Sequence, residues 1–186
     1  MKPTMKALHI ALLSVCFSIV LPTKAQAETA KELRVRSEKA LHHLYSNNHK
    51  AREIGDKAVA ILVFPTVYKA GFMVGAQTGN GVLFRNGKAA GYYNTTAASY
   101  GLQAGIQKFS YALFFMDEHS LHYLNKSGGF EVGGAPSLVV ADEGFSSSLS
   151  TTTLQKGIYA FFFGQKGLMA GLGLQGTKIS EYTPSE

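Results

Sequence analysis

The sequence has no tryptophan, a single cysteine and only 16% charged residues, and each shortage excludes a class of protein. The one cysteine, Cys16, lies in an N-terminal apolar segment, so the rest of the chain forms neither a disulfide framework nor a cysteine metal site. Three of the 18 Lys and Arg residues also lie in the first 27 residues, and the 15 that remain exceed the 12 acidic residues by 3. This charge is too small to indicate a nucleic-acid-binding protein.

The first 27 residues have the features of a secretory signal peptide. Lys2 and Lys6 precede an apolar run over residues 7–21, and Ala25-Gln26-Ala27 then provides the small-residue pattern of a signal peptidase site. The apolar run is shorter than the roughly 18 to 20 residues that a spanning helix needs. We therefore expect an exported protein, periplasmic or secreted, with a cleaved signal peptide over residues 1–27.

The remaining residues, 28–186, are enough for one domain with a hydrophobic core, and no linker divides them. Lipid modification of Cys16 is a less favoured alternative to cleavage. The residue before it is Val15, where a lipoprotein signal would have a small residue, and apolar sequence continues beyond it.

A helix is predicted at the start of this domain. Thr29-Ala30-Lys31-Glu32 is a capping box, and apolar residues recur at helical spacing up to Leu44. The other faces carry the basic residues Lys31, Arg34, Arg36 and Lys39. A basic helix can contact anionic lipid, but Glu32 and Glu38 each lie four residues from an arginine, so ion pairs on a solvated face are the favoured interpretation. A second short helix is predicted from Asn48 to Asp56.

From Val59 onward the sequence is typical of β-structure. Strands are predicted at 59–64, 70–77, 80–86, 88–95, 99–107 and 109–116, and later at 130–132, 137–141, 146–153, 158–165 and 167–179. Asn86-Gly87 predicts a hairpin turn, and Asp117 is expected to cap a brief helix.

Three of these strands, 59–64, 111–116 and 158–163, are apolar on both faces. The sheet must therefore fold on itself, with helices covering one side, or leave an apolar surface for lipid. The predicted fold class is α+β: a single β-rich domain with a strongly curved, mostly antiparallel sheet or barrel-like sandwich, an N-terminal helix and one or two short helices.

A six-residue glycine pattern occurs three times, at residues 71–76, 101–106 and 167–172. In a strand its two glycines lie on one face and its larger apolar residues on the other. Repeated glycines in strands mark a tight bend, a bulge or a close approach to the backbone. The favoured interpretation is a strongly curved corner of the sheet or a helix lying flat on the strands, and the alternative is a ligand or a lipid chain lying on the bare glycine face.

No arrangement of residues predicts an enzyme. Residues 171–176 match the dinucleotide-binding glycine pattern, but only ten residues follow, too few for a strand-helix-strand unit with its acidic residue. His119 and His122 lie three residues apart beside Glu118, and no third metal ligand is evident. Since no nucleophile, base and orienting group come together, we expect a non-enzymatic protein with no cofactor and no metal.

Several segments, taken in order, resemble one known domain family. They are Ala60-Ile61-Leu62-Val63-Phe64-Pro65, Lys69-Ala70-Gly71-Phe72, Gly91-Tyr92-Tyr93, Gly101-Leu102-Gln103-Ala104-Gly105, Glu131-Val132-Gly133 and the stretch from Tyr159 to Gly171. Over roughly residues 30–180 the chain resembles the bacterial branch of the SYLF domain family. The resemblance implies a lipid-binding module, which in fungal and animal relatives recognises phosphoinositides and in fungi also actin. An exported bacterial protein would instead meet anionic phospholipid.

We therefore predict an envelope protein that binds anionic phospholipid or a membrane surface, through an apolar strand face or cleft with basic residues at its rim. Lys69 and Lys166 each precede a glycine pattern and are predicted to hold phosphate, although plain solvent exposure at a turn is an equal alternative. Weaker candidates are Lys31, Arg34 and Arg36. The residues predicted to meet acyl chains are Phe72, Phe161 and Phe163.

Two other functions are considered. An outer-membrane barrel is less favoured, because several strands are apolar on both faces and the domain begins with a helix. A structural or partner-binding envelope protein, which self-associates through the glycine-rich strand faces, is the main alternative. No nucleic-acid partner is expected.

Overall fold

The computed structural model describes residues 28–125, 130–131, 138–141, 157–164 and 176–186. The elements in chain order are α1 (Ala30–Asn47), α2 (His49–Gly55), β1 (Ala60–Arg85), β2 (Lys88–Phe115), α3 (Glu118–His122), a 3-10 turn (Tyr123–Asn125), β3 (Phe130–Glu131), β4 (Leu138–Ala141), β5 (Ile158–Phe163) and β6 (Thr177–Glu181). The predicted class, a β-rich α+β domain with an N-terminal helix and short helices, is confirmed.

The centre of the sheet is a single antiparallel hairpin of β1 and β2, which are 26 and 28 residues long. Asn86 and Gly87 join them with φ values of 51° and 71°, the positive angles that a type I′ hairpin turn needs. The predicted turn is therefore confirmed. The expectation of five separate strands between residues 70 and 116 is wrong, because the residues predicted to separate them, 78–79, 96–98 and 108, are paired within the β1–β2 ladder.

The shorter strands extend the sheet from β2. β5 pairs antiparallel with Ser110–Phe115 of β2, and β4 lies parallel to β5. β6 pairs antiparallel with Tyr93–Ala97 of β2, and β3 pairs with β6. The strand predicted at 146–153 lies outside the described residues.

The β1–β2 hairpin bends sharply at glycines and folds back on itself. A Cβ atom added at Gly71 would lie 2.3 Å from the Cα of Gly75, and one at Gly79 would lie 2.6 Å from the carbonyl oxygen of Thr66. Such approaches of backbone to backbone exclude any side chain larger than hydrogen. The register between the strands also shifts between Gly71 and Met73, as at a β-bulge.

The first two glycine patterns meet at this bend, where Gly71 pairs with Gly105. Of the two structural explanations favoured for the pattern, the strongly curved corner is therefore confirmed for these two copies. The third copy, at residues 167–172, lies outside the described residues.

The base of the hairpin, which we define as residues 60–64 and 111–115, is buried on both faces together with the paired strand β5, apart from the half-buried Ile61. On the inner face, one cluster includes Leu62, Phe64, Tyr111 and Leu113. On the outer face, a second cluster includes Val63, Ala112, Phe114 and Phe161. Leu33 and Leu44 of α1 and Ala51 and Ile54 of α2 cover the outer cluster. The expectation that apolar strands are covered twice is thus confirmed, with protein on both sides.

Local caps fix the starts of the three helices, and the two predicted caps, at Thr29 and Asp117, are confirmed. Thr29 and Glu32 form the reciprocal capping box of α1, Asn48 caps α2, and Asp117 accepts the Ser120 amide at the start of α3. The start of the domain is also tied to its end, since Ser185 accepts a hydrogen bond from the Ala30 amide at 3.3 Å.

Candidate functional site

Around the bend, the outer face of the hairpin is no longer covered by helices. Alternation along β2 places Ile106 and Lys108 on the same face as the buried Ala112. Tyr68 of β1 pairs with Lys108, and Ala70 pairs with Ile106, so all four side chains share this face.

Beyond the bend, Val74 and Ala76 continue the same face of β1 and are also exposed. We call these six residues the corner surface: Tyr68, Ala70, Val74, Ala76, Ile106 and Lys108. Among the described residues, the exposed large hydrophobic side chains are Tyr68, Val74 and Ile106, with exposed fractions of 50%, 60% and 78%. All three belong to the corner surface.

A positive charge lies within this apolar surface. The Nζ atom of Lys108 is 5.9 Å from the centroid of the Tyr68 ring, within the range of a cation–π contact. None of the six residues is acidic. The corner surface therefore combines exposed apolar area with a lysine that no carboxylate of the surface neutralises.

The predicted phosphate ligand Lys69 lies beside this surface but not on it. Lys69 pairs with Gln107, and alternation directs both residues to the inner face of the hairpin, where Lys69 is half-buried. Lys166, the other main candidate, lies outside the described residues. Phe72 lies in β1 at the bend, next to Gly71.

Phe161 and Phe163 are part of the hydrophobic core. Both belong to β5 and to the outer cluster beneath the helices, with exposed fractions of 1% and 8%. Phe161 packs edge-on against Phe114 at a centroid distance of 5.3 Å. Because protein side chains already surround both rings, we do not include them in the candidate surface.

The arginines of α1 are engaged by protein groups. Arg34 pairs with Glu38 at 3.1 Å, as the spacing predicts. The expected pair between Glu32 and Arg36 is not formed: Arg36 pairs with Glu28 and donates to Thr66 Oγ1 at 2.8 Å. Glu32 accepts the Thr29 amide instead, and this backbone hydrogen bond holds the pKa of Glu32 below its usual value.

Two surface clefts near the helices do not match an anionic headgroup. Lys31 is exposed and lines a shallow cleft with Arg36, but Glu28 and Glu32 line the same cleft and balance the two cations. A second groove, of about 540 Å³, lies between α1 and the Asn86-Gly87 turn. Its charged groups include Glu38 and Asp56, which would repel phosphate.

Sequence reasoning missed Lys108 and Ile106, although a signal for both was present. The prediction chose Lys69 because it lies shortly before a glycine pattern, whereas Lys108 follows one. Strand alternation places Ile106, the last residue of the second pattern, and Lys108 on one face, and this alternation could have identified them. Their pairing with Ala70 and Tyr68 required the register of the hairpin.

In the part of the chain that the structure describes, no three histidine, cysteine, aspartate or glutamate residues come close enough to hold a metal ion. His119 and His122 are both exposed on α3. The described residues also contain no helix with the length and apolar character to cross a bilayer.

A comparison with protein families finds one match. The family described as Ysc84, Las17-binding protein actin regulator, matches residues 96–185. This part of the chain belongs to the SYLF domain family. The SYLF match begins within β2 and includes Ile106 and Lys108, whereas Tyr68 and Val74 precede it. No curated protein matches the chain.

Proposed function

We propose that this SYLF-domain protein is an exported, non-enzymatic module that binds anionic phospholipid at a membrane surface of the cell envelope. One observation carries the proposal: the exposed large hydrophobic side chains Tyr68, Val74 and Ile106 lie together on the corner surface with Lys108. Single exposed hydrophobic residues are normal on soluble proteins. A group of them on one face marks an interaction site.

The charge on this face favours an anionic partner. A lysine near an anionic membrane surface contributes about 1 kcal/mol to binding, and apolar side chains gain free energy when they leave water. A net excess of only 3 basic residues outside the first 27 gives weak general attraction to anions. Binding therefore depends on where the lysines lie rather than on the total charge of the domain.

The proposed export is supported by the signal-peptide pattern of residues 1–27. Cleavage after Ala27 would leave Glu28 as the first residue, and the carbonyl oxygen of Glu28 accepts a hydrogen bond from Ser185 Oγ at 3.2 Å. Expression of the full chain in a bacterial host, followed by mass spectrometry of the periplasmic fraction, is expected to give a chain that begins at Glu28. A product that retains residues 1–27, or one lipidated at Cys16, would contradict cleavage at this position.

Cosedimentation with vesicles tests the lipid-binding proposal. We expect the protein to bind vesicles of phosphatidylcholine with phosphatidylglycerol more strongly than vesicles of phosphatidylcholine alone, and to bind less as salt rises from about 50 to 500 mM, because salt screens exposed charges. Equal partitioning into both vesicles, or no binding to either, would contradict the proposal.

A matched pair of lysine variants locates the contact. Lys108→Gln is expected to weaken binding to the anionic vesicles roughly fivefold, since one lysine contributes about 1 kcal/mol. Lys88→Gln removes the same charge at the exposed start of β2, beside the hairpin turn, and is expected to leave binding nearly unchanged. Equal losses in the two variants would assign binding to general charge instead of the corner surface.

The alternative, self-association through glycine-rich strand faces, has less support. Gly71 and Gly79 face the backbone of their own strand, and Gly81 faces the ring of Phe64 at 2.6 Å. These glycine faces are therefore already in contact within the hairpin. Sedimentation equilibrium of the soluble protein would test this alternative, which requires a dimer or larger assembly.

A further inference from the structure

We infer that the corner surface enters the bilayer as a wedge, with Ile106 and Val74 at the boundary between headgroups and acyl chains and Lys108 at the level of the phosphates. This inference rests on the proposed function and adds the depth and orientation of the bound domain. The occupant of the surface is an anionic phospholipid bilayer. Neither the surface of α1 nor the core phenylalanines take part.

The spacing along β2 fits this arrangement. Ile106 and Lys108 are two residues apart on one face, which corresponds to about 7 Å along a strand. The apolar faces of amphipathic helices at membrane surfaces are buried about 5–10 Å into the boundary between headgroups and acyl chains, and a strand face can occupy the same layer. With Ile106 inside this layer, the lysine reaches the phosphates, and its flexible chain adjusts the remaining distance.

The neighbours of Ile106 leave it prominent. Its cross-strand partner is Ala70, a small residue that cannot shield a branched side chain, and 78% of Ile106 is exposed. Val74, on the other side of the bend, is 60% exposed. Ile106 of β2 and Val74 of β1 lie on either side of the bend at Gly71 and Gly75. The bend thus presents both apolar side chains at one convex corner.

The backbone at the corner is compatible with a medium of low polarity. Backbone amide and carbonyl groups cost several kcal/mol each when they enter the membrane without partners. At the corner, β1 and β2 pair on both sides of the bend, as at Tyr68 with Lys108 and at Val74 with Tyr100, and the register shift between Gly71 and Met73 interrupts the ladder only at the bend itself. A paired hairpin therefore enters the interface at a lower cost than an irregular loop.

A second copy of the chain is a poorer occupant. In a two-fold contact the same patch meets itself, so the Lys108 residues of two copies would approach each other across a surface that has no carboxylate. Like charges in such a contact oppose association. Anionic phospholipid supplies both the apolar phase and the negative charge that the corner surface lacks.

The absence of tryptophan makes a direct test possible, because one introduced tryptophan is the only such fluorophore in the chain. Ile106→Trp is placed on the corner surface, and Val74→Trp provides a second probe if the first variant is unstable. Ala90→Trp is the control, since Ala90 is exposed near the turn at the other end of the hairpin. Circular dichroism melting confirms that each variant is folded.

With phosphatidylglycerol-containing vesicles, we expect the emission of the two corner variants to shift to shorter wavelength and to be quenched by lipids brominated near the headgroup end of the acyl chain. The emission of the Ala90→Trp variant is expected to stay unchanged. Ile106→Ser is expected to reduce partitioning into these vesicles about tenfold, equivalent to about 1.4 kcal/mol.

Each other outcome overturns the inference in a distinguishable way. Vesicle binding with unshifted corner tryptophans would remove the wedge and leave the proposed function standing. A shift of the corner tryptophans that depends on protein concentration without vesicles would assign the surface to a second copy. No binding of the wild-type protein to anionic vesicles would overturn both the inference and the proposed function.

Discussion

The base and the corner of the β1–β2 hairpin present apolar residues on the same outer face, but in different surroundings. At the base, Val63 and Phe114 are fully buried under α1 and α2. At the corner, Tyr68 and Ile106 are exposed on the continuation of that face. The difference lies in what covers the strands and not in how hydrophobic the strands are.

The lengths of α1 and β1 explain why the helices cover the base of the hairpin and not the corner. A helix of 18 residues such as α1 is about 27 Å long. The bend divides the 26 residues of β1 into two arms of about half that number. Each arm corresponds to about 43 Å of strand. Even a helix aligned with an arm would therefore be too short to cover it from the base to the bend.

The largest difference in stability is expected between substitutions of one apolar residue from the base and one from the corner. Phe114→Ala creates a cavity between the sheet and the helices and is expected to lower the free energy of unfolding by about 3–5 kcal/mol. Ile106→Ala removes a side chain that is 78% exposed and is expected to change it by less than about 0.5 kcal/mol. Urea denaturation followed by circular dichroism measures both values. Similar losses in the two variants would show that the corner is covered in solution.

The second-largest loss of stability is expected for a substitution at the bend, which separates the base from the corner. Gly71→Ala places a Cβ atom 2.3 Å from the Cα of Gly75, where there is no room for it, and is expected to cost about 2–3 kcal/mol of stability through overpacking. The adjacent Ala70→Val, on the exposed outer face, is the control and is expected to be tolerated. If thermal melting shows no loss for Gly71→Ala, the hairpin does not fold back at this glycine.

A smaller effect on stability is expected at Asp117, whose carboxylate joins the start of α3 to Gly157, the residue before β5. Burial alone would raise the pKa of Asp117, but hydrogen bonds from the amides of Gly157 and Ser120, at 2.9 and 2.7 Å, hold it below its usual value. A carboxylate with a lowered pKa stabilises the fold above the pKa of the unfolded state, about 3.9, and this contribution is lost as the pH falls through the folded-state pKa.

Asp117→Asn is accordingly expected to cost about 0.5–1 kcal/mol at pH 7 and less at pH 2–3. Chemical denaturation at these two pH values measures the difference. A stability difference between wild type and variant that is constant over this range would show that the charge of Asp117 does not contribute.

The smallest effect concerns the solvent side of the helix over the base. Arg34 and Glu38 form an exposed ion pair, so Arg34→Gln is expected to cost no more than about 0.5 kcal/mol. Arg36→Gln is expected to cost more, because Arg36 also donates to Thr66 Oγ1. Thermal denaturation at low and high salt distinguishes the two. A larger loss for Arg34→Gln would reverse this assignment.

The helices and the turn could be predicted from local chemistry. The capping box at Thr29 and Glu32, the cap at Asp117 and the Asn86-Gly87 turn each depend on a few adjacent residues, and all three occur as predicted. The glycine patterns also indicated a sharp corner. The ends of the strands were harder to predict from the sequence. Polar residues such as Thr78 and Asn80 stay in a paired ladder when the partner strand continues.

The candidate site could be predicted only in part. Lys69 lies in the same stretch of β1 as the corner surface but faces the inner side of the hairpin, while Phe161 and Phe163 are core residues. Both results depend on which face of a strand a second element covers. The apolar character of β5 suits a protein core and a lipid surface equally well, so composition alone does not separate the two uses.

The sequence by itself determined where the chain forms helices, where the long hairpin turns and where glycine allows it to bend, since each depends on neighbouring residues and backbone sterics. The tertiary structure alone decided which apolar residues are core and which form the corner surface. Burial is set by the reach of α1 and α2 over the folded hairpin and by the register that places Ile106 beside Ala70, and both arise from contacts between distant parts of the chain.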